Sequence, residues 1–200
     1  VRTLFSYTLG AGSYLENLTL IGTDSVNGTG NELKNVLTGN SGNNQLVGGG
    51  GNDTLIGGDG NDTLNGGVDI DSMAGGNGDD VYTIDNAKDV VVESVADRVI
   101  GGVDTVNVAI NTTNGKYTLG KNIENGTLTN SVTFSLLGNE LNNVLRGNNF
   151  ANFIDGGTGN DTIYGGNNTS PGLSNFLFGG AGNDSIIGGT GADDIEGGLG

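Results

Sequence analysis

The chain has 200 residues, of which 41 are glycine, and it contains no cysteine and no histidine. The lack of cysteine excludes a disulfide framework, a zinc–thiolate site and a thiol nucleophile. With 23 acidic against 7 basic residues, the formal net charge is −16, which argues against nucleic acid or an anionic membrane as a partner. No apolar run is long enough for a transmembrane helix, so membrane insertion is not expected.

The first predicted segment, residues 1–29, contains short stretches that recur later in the chain. Tyr7-Thr-Leu-Gly10 returns at residues 117–120, and Glu16-Asn17 returns at residues 124–125. The second pair is 108 residues apart, and so are the similar stretches 30–40 and 138–148. We therefore interpret residues 1–29 as the β-strand end of a preceding repeat unit, in a tandem array of units about 108 residues long.

Nine-residue frames fill the next segment, which we place at residues 30–85. Six frames run from Gly30 to Thr83, and each has one large apolar residue at its eighth position: Leu37, Leu46, Leu55, Leu64, Met73 and Tyr82. The last four frames begin with two glycines and carry aspartate at the sixth position: Asp53, Asp62, Asp71 and Asp80. The first two frames carry Asn35 and Asn44 there instead.

This pattern predicts an all-β solenoid. Glycines at the first, second and fourth positions allow a tight turn with several carbonyl groups pointing inward, because glycine tolerates positive φ. The last three residues favour a short strand with its middle side chain in the core. If two frames close one coil, residues eighteen apart stack at about the 4.8 Å spacing of neighbouring strands.

That register stacks Asp53 over Asp71 and Asp62 over Asp80. Two carboxylates at this distance repel by roughly 3 to 4 kcal/mol at an effective dielectric constant of 20, and a bound cation would reverse the sign. Because all the donors are hard oxygens, Ca²⁺ with its six to eight flexible ligands fits better than Zn²⁺ or Mg²⁺. The asparagine frames are expected to stack with little or no metal.

Residues 86–137 lack the nine-residue pattern. After Val81–Ile84, the stretches 90–92, 103–110 and 132–134 have the composition of ordinary strands. Two arrangements remain open at this point: larger coils that continue the solenoid, or a small sheet packed against it.

The last segment, residues 138–200, repeats the first block with asparagine frames at Asn143 and Asn152. Its further inward residues are Ile163, Leu177, Ile186 and Ile195. An interruption at residues 167–174, with the only proline at Pro171, predicts a loop extruded from one turn. Asp161 should stack on Asp184, whereas the column with Asn152, Asn175 and Asp193 should bind calcium poorly. Because the chain stops inside a frame and solenoids need capped ends, we expect it to belong to a longer protein.

Three other interpretations of these residues are weaker. A flexible glycine-rich linker would not keep an apolar residue at the eighth position through six frames. The outward threonines could form an ice-binding ladder, but Ser72 and Val81 interrupt both columns. The paired carboxylates could resemble a glycosidase pair, yet they are better explained as ligands, so we expect no enzyme activity and no catalytic residue.

The frames resemble hemolysin-type calcium-binding (RTX) repeats over nearly the whole chain. The resemblance implies a right-handed parallel β-roll with calcium between successive loops, type I secretion, and folding after export. Carried over to this chain, the ligand residues are Asp53, Asp62, Asp71, Asp80, Asp161, Asp184 and Asp193, with backbone positions at Gly49, Gly51, Gly58, Gly60, Gly67, Asp69, Gly76, Gly78, Gly157, Gly159, Gly180, Gly182, Gly189 and Gly191. Asp69 departs from the pattern because it stands where the fourth-position glycine is usual.

The longer unit also looks like the arrays of large secreted bacterial RTX proteins. The resemblance therefore implies an extracellular structural module in an adhesin or surface-layer protein, whose folding is driven by Ca²⁺. The implied partners are calcium ions and adjacent repeat units, with cell-surface or polysaccharide ligands as further candidates. The alternative is a folding and secretion module at the C-terminus of a type I-secreted protease, lipase or epimerase.

Overall fold

A computed structural model describes residues 1–93, 101–169 and 172–200, and in this part of the chain every regular element is a β-strand. The residues form two compact units, Val1–Asp104 and Thr105–Gly200. In the same ranges no helix has the length and hydrophobicity needed to cross a membrane. The all-β prediction is confirmed.

The first unit is a parallel β-solenoid in which successive strands alternate between two sheets. The odd-numbered strands pair in the order β1-β3-β5-β7-β9-β11, and the even-numbered strands pair in the order β2-β4-β6-β8-β10. The strands are β1 (Arg2–Thr3), β2 (Tyr7–Thr8), β3 (Asn17–Leu20), β4 (Gly28–Thr29), β5 (Val36–Thr38), β6 (Gln45–Gly49), β7 (Thr54–Asp59), β8 (Thr63–Gly67), β9 (Ser72–Asn77), β10 (Val81–Ile84) and β11 (Val90–Val91).

The second unit is built in the same way. Its two parallel sheets have the strand orders β12-β14-β16-β18-β20 and β13-β15-β17-β19-β21. The strands are β12 (Thr105–Val108), β13 (Gly115–Thr118), β14 (Asn125–Leu128), β15 (Phe134–Leu137), β16 (Val144–Arg146), β17 (Asn152–Asp155), β18 (Thr162–Tyr164), β19 (Ser174–Phe178), β20 (Ser185–Ile187) and β21 (Ala192–Glu196).

The nonapeptide blocks have the predicted register of eighteen residues. Leu37 pairs with Leu55 and Leu55 pairs with Met73 in one sheet of the first unit. In the other sheet, Leu64 pairs with Leu46 on one side and Tyr82 on the other. Two frames therefore close one coil, and corresponding residues of alternate frames stack directly on each other.

The apolar residue at the eighth position of each frame forms the core. All six of these side chains in the first block are fully buried, as are Ile163 and Leu177 in the second. Ile186 is half-buried and Ile195 is 49 % exposed, because they lie in the last coils of this chain. One buried side chain per frame follows from a three-residue strand, in which only the middle residue points inward.

The turns between strands have positive φ angles at the positions where glycine was predicted to allow them. In the frame that starts at Gly48, the second residue Gly49 has φ 113° and the fourth residue Gly51 has φ 90°. Asp69 occupies the fourth position of its frame with φ 85°, which is uncommon for a residue with a side chain. Asp69 thus replaces the usual glycine without changing the conformation of the turn.

In the second unit, residues 105–137 form parallel coils that are larger than those of the nonapeptide blocks, so the first of the two open arrangements holds there and the small separate sheet does not. Thr105 pairs with Asn125 at a spacing of twenty residues, and Gly115 pairs with Phe134 at nineteen. The predicted strand at 132–134 begins only at Phe134 and extends to Leu137. The extra residues per coil lie between the strands, which is why the nine-residue pattern disappears while the pairing continues.

The interruption in the second block also lengthens one coil. Phe153 pairs with Phe176 at a spacing of 23 residues, five more than in the regular coils. The strands on both sides keep their pairing, as an extruded loop requires. Pro171 lies outside the described residues. The division of the chain at residues 29, 85 and 137 stays a prediction.

Candidate metal site

The sixth residues of the frames stack in two columns in the first unit, and each column is joined by hydrogen bonds. In the Asp53 column, the backbone N–H of one sixth residue donates to the Oδ1 of the sixth residue one coil further on. The residues of the Asp53 column are Asn35, Asp53, Asp71 and Asp89, with N···Oδ1 distances of 2.7, 2.8 and 3.0 Å. Those of the Asp62 column are Asn44, Asp62, Asp80 and Asp104, with distances of 2.7, 2.7 and 2.8 Å.

The second carboxylate oxygen of these aspartates has no partner. Oδ2 is buried without a hydrogen bond in Asp53, Asp62, Asp71, Asp80, Asp161 and Asp184. Asp80 is completely buried, and Asp53, Asp62, Asp71 and Asp161 are at most 2 % exposed. A buried carboxylate oxygen without a donor is destabilising unless a cation or a proton neutralises it.

The first glycine of each frame leaves space beside the unpaired oxygen. A Cβ atom added to Gly48 would clash with Asp53 Oδ2 and with the carbonyl oxygen of Gly66, one coil further on. The same arrangement recurs at Gly156, where the clash would be with Asp161 Oδ2 and the carbonyl oxygen of Gly179. A carboxylate oxygen and a peptide carbonyl oxygen therefore converge on one space that only glycine leaves open.

The electrostatics of the columns raise the pKa of the stacked carboxyl groups. Burial raises the pKa of Asp53, Asp62, Asp71 and Asp161 to about 6, although the backbone hydrogen bond to each of them lowers it in part. Burial, together with the neighbouring carboxylates of Asp62, Glu93 and Asp79, raises the pKa of Asp80 to about 7. The fold thus concentrates negative charge at a cost that a divalent cation would remove.

In the asparagine coils the side-chain oxygen beside the first glycine is already paired: Asn35 Oδ1 lies beside Gly30 and accepts the Asn31 N–H at 2.7 Å, and the Nδ2 groups bond to carbonyl oxygens of the preceding coil. In the first unit the Nδ2 of Asn44 donates to the carbonyl oxygen of Val26 at 2.7 Å, and the Nδ2 of Asn40 donates to that of Asp24 at 3.0 Å. In the second unit the Nδ2 of Asn143 donates to the carbonyl oxygens of residues 123 and 124, both at 3.1 Å. In these coils the oxygens are therefore paired with N–H groups of the chain itself and need no cation.

A model of the RTX calcium-binding nonapeptide repeat, in four copies, matches the chain at residues 29–64, 38–73, 56–89, 137–169 and 172–200. These ranges cover more than half of the 200 residues. The chain belongs to this RTX family. No curated protein matches it in a sequence comparison. RTX nonapeptides are calcium-binding motifs, so the chain is a calcium-binding repeat module.

The donors present fit the ion that RTX repeats bind. The unpaired Asp53 Oδ2 and the carbonyl oxygen of Gly66 are both hard oxygens, and no nitrogen or sulfur ligand takes part. Ca²⁺ prefers such ligands and accepts six to eight of them in flexible geometry. When bound, the ion would neutralise the stacked carboxylates.

The RTX block of the second unit has one complete aspartate pair. The backbone N–H of Asp161 donates to Asp184 Oδ1 at 2.8 Å, as in the first unit. Asp193 faces Asn175 instead, and the Asn175 Nδ2 donates to Asp193 Oδ1 at 2.8 Å. The structure therefore does not bring Asp193 together with a second aspartate.

The predicted backbone positions lie in the turns, and some of their carbonyl groups already have a partner. The carbonyl oxygen of Gly49 accepts a hydrogen bond from the Val68 N–H at 3.0 Å, and that of Gly157 accepts one from the Ala181 N–H at 2.9 Å. The side chain of Asp69 is exposed, and its Oδ2 accepts a bond from the Gly51 N–H at 3.2 Å. The carbonyl groups of first-position glycines such as Gly66 and Gly179, which were not among the predicted positions, lie beside the same glycine as an unpaired oxygen.

The nine-residue pattern does not reveal the last residue of either column in the first unit. Asp89 and Asp104 occupy the sixth position in coils that lack the nonapeptide pattern, and Asp104 lies 24 residues after Asp80. Asp89 could have been found, because it follows Asp71 by eighteen residues. No fixed spacing points to Asp104, since the length of its coil is irregular.

Proposed function

We propose that the chain is an extracellular structural module whose folding is driven by Ca²⁺ bound between the stacked aspartates. The observation that carries this proposal is the set of six buried Oδ2 atoms without a hydrogen bond, each on an aspartate of the two blocks. Proteins of the RTX family are typically secreted. Extracellular calcium modules have Kd values of about 10⁻⁴ to 10⁻³ M, so calcium in the millimolar range would occupy such sites.

We assign the ion positions to pairs of neighbouring aspartates along the columns. In the first unit the pairs are Asp53–Asp71 and Asp62–Asp80, and in the second unit the pair is Asp161–Asp184. In each pair the Oδ1 of the second aspartate holds the backbone of the first, which leaves the Oδ2 atoms for the ion. The hydrogen-bonded ladder sets the register of the coils, and the ion neutralises the charge of the stacked carboxylates.

We further propose that the full-length protein is a large adhesin or surface-layer protein in which this module is a spacer. The asparagine coil supports this because it recurs after 108 residues with the same contacts. Asn31 N donates to Asn35 Oδ1 at 2.7 Å, and Asn139 N donates to Asn143 Oδ1 at 2.8 Å. An extended array of equal units suits a spacer better than a short folding aid for an attached enzyme.

The experiment is a titration of CaCl₂ into EDTA-treated protein, followed by far-UV circular dichroism. We expect conversion of a coil spectrum into a β spectrum, and a much smaller effect of MgCl₂ at the same concentration. Mg²⁺ serves as the matched control, because it has the same charge but demands a near-ideal octahedron. A full β spectrum in EDTA that calcium does not change would contradict the proposal.

A further inference from the structure

Three buried carboxylates meet at the C-terminal end of the Asp62 column. Asp80, Glu93 and Asp104 each offer one oxygen, and these oxygens lie within 4.8 Å of one another. Asp80 and Asp104 are at most 1 % exposed and Glu93 is 7 % exposed. Glu93 and Asp104 lie outside the residues that match the RTX family. The cluster is therefore distinct from a pair of nonapeptide aspartates.

An unpaired oxygen points into this cluster. Asp80 is completely buried, its Oδ1 accepts the Asp62 N–H at 2.7 Å, and its Oδ2 has no hydrogen bond. A Cβ atom added to Gly75 would clash with both Asp80 Oδ2 and the Tyr82 hydroxyl. The Asp80 oxygen and the Tyr82 hydroxyl therefore border the same small space.

Tyr82 orients the glutamate. Its hydroxyl accepts a hydrogen bond from the Gly75 N–H at 2.6 Å and donates one to Glu93 Oε1. Tyr82 itself is fully buried at the eighth position of its frame. The aromatic side chain thus extends from the core of the nonapeptide block to a carboxylate that comes from outside it.

We propose that Asp80, Glu93 and Asp104 hold one divalent cation of the calcium type, at a site that closes the first nonapeptide block. All three donors are hard oxygens, and two oxygens bound to one Ca²⁺ lie at most about 5 Å apart. The site has three carboxylates, whereas a pair within the block has two. It also ties the irregular coil that contains Glu93 to the end of the regular block. Two of the three ligands of this site, Glu93 and Asp104, lie outside the repeat.

The test counts bound ions and uses Tyr82 as a local probe in the full chain. Glu93→Gln keeps an acceptor for the Tyr82 hydroxyl, and Asp104→Asn keeps an acceptor for the Asp80 N–H. We expect native mass spectrometry in calcium to find one ion fewer in each variant. We also expect terbium emission excited through tyrosine to fall in Glu93→Gln to the level of Tyr82→Phe.

Two control variants separate this site from the others. Glu140→Gln changes an exposed glutamate and should retain every ion. Asp161→Asn should lose an ion of the second unit and keep the emission that depends on Tyr82. If Asp161→Asn lost no ion, the assignment of ions to the nonapeptide pairs would fail, whereas the result for Glu93→Gln would still report on the three-carboxylate site.

An unchanged number of ions in both Glu93→Gln and Asp104→Asn would overturn the proposal, and a shared proton would then be what holds the carboxylates together. If either variant fails to give the β spectrum, the wild-type protein and Tyr82→Phe decide the question. Equal terbium emission from these two would show that no ion lies beside Tyr82, which also overturns it.

Discussion

The asparagine coils and the aspartate coils share the eighteen-residue register and differ in how the side-chain oxygens of the sixth residue are paired. Asn35 Oδ1 accepts the N–H of Asn31 in its own frame, whereas Asp71 Oδ1 accepts the N–H of Asp53 one coil earlier. The second atom is an N–H donor in asparagine and a bare oxygen in aspartate. Asparagine therefore completes its coil from within the chain, whereas aspartate requires a cation from solution.

The contrast teaches that stacking and metal dependence are separable in this fold. In both kinds of coil the sixth-residue N–H donates to the next coil, as Asn35 does to Asp53 Oδ1, and the apolar column is buried. What changes is the free energy of the oxygen beside the first glycine, which is low where a backbone N–H pairs with it, as in Asn35, and high for the unpaired Asp53 Oδ2. The two kinds of coil thus allow the metal's contribution to be measured within one molecule.

The largest expected effect is the removal of calcium, which should open the aspartate coils far more than the asparagine coils. At a calcium concentration of 100 Kd, each ion stabilises the folded state by about 2.7 kcal/mol, which EDTA abolishes. Hydrogen–deuterium exchange in calcium and in EDTA should show the greatest loss of protection at residues 48–93. Equal loss at residues 30–47 would mean that the asparagine coils also depend on metal.

Conversion of an asparagine coil into an aspartate coil should be the next largest effect. Asn143→Asp removes the amide bonds to the carbonyl groups of residues 123 and 124 and stacks a new carboxylate on Asp161. In EDTA we expect a loss of about 2–4 kcal/mol in the free energy of unfolding. Calcium should restore part of it, as measured by urea denaturation with and without the ion.

The control for this variant is Asn149→Asp, which adds the same charge at an exposed position. It should change stability little in either condition. A loss for Asn143→Asp no greater than for this control would contradict the role given to the buried amide.

The reverse change, Asp62→Asn, should have a smaller effect whose sign depends on calcium. In calcium it removes one charged ligand and should cost about 1–3 kcal/mol. In EDTA it should cost nothing or stabilise the protein, because it removes a buried charge that stacks on Asp80. The Asp53–Asp71 pair should keep its ion. Melting temperatures over a calcium titration measure the loss of stability in calcium and its absence or reversal in EDTA.

Asp24→Asn, at an exposed position, is the matched control for this variant. If Asp62→Asn behaved like this control at limiting calcium, Asp62 would not be a ligand, and the pairs along its column would need to be reassigned.

The last expected effect, which is the smallest when counted per carboxyl group, is the pH dependence of the metal-free protein. The pKa of Asp53, Asp62 and Asp71 is raised from 3.8 to about 6 in the folded state. The folded state therefore binds protons more tightly than the unfolded state, and stability is lost as the pH rises from about 4 through 6. In EDTA, lowering the pH from 7 to 5 should raise the melting temperature. A fall in melting temperature over this range would show that these carboxyl groups are not buried as described.

A large part of this architecture could be predicted from the sequence because the repeat is short and local. Leu55 and Met73 stack at eighteen residues since two frames of nine close a coil, and Gly49 takes positive φ since its turn needs it. The stacking of Asp53 on Asp71 follows from the same count. Each of these statements depends only on spacing and on the conformational range of one residue type.

Only the tertiary structure decided what lies between the regular frames. Coils of nineteen, twenty and 24 residues have no period, so neither the pairing of Gly115 with Phe134 nor the place of Asp104 under Asp80 could be read from spacing. Glu93 reaches the same cluster through a hydrogen bond from a core tyrosine. The sequence by itself determined the coil and its repeating acidic positions, because these are set by contacts within nine or eighteen residues. The tertiary structure decided which oxygens converge, because that depends on how irregular segments of unequal length close onto the same columns.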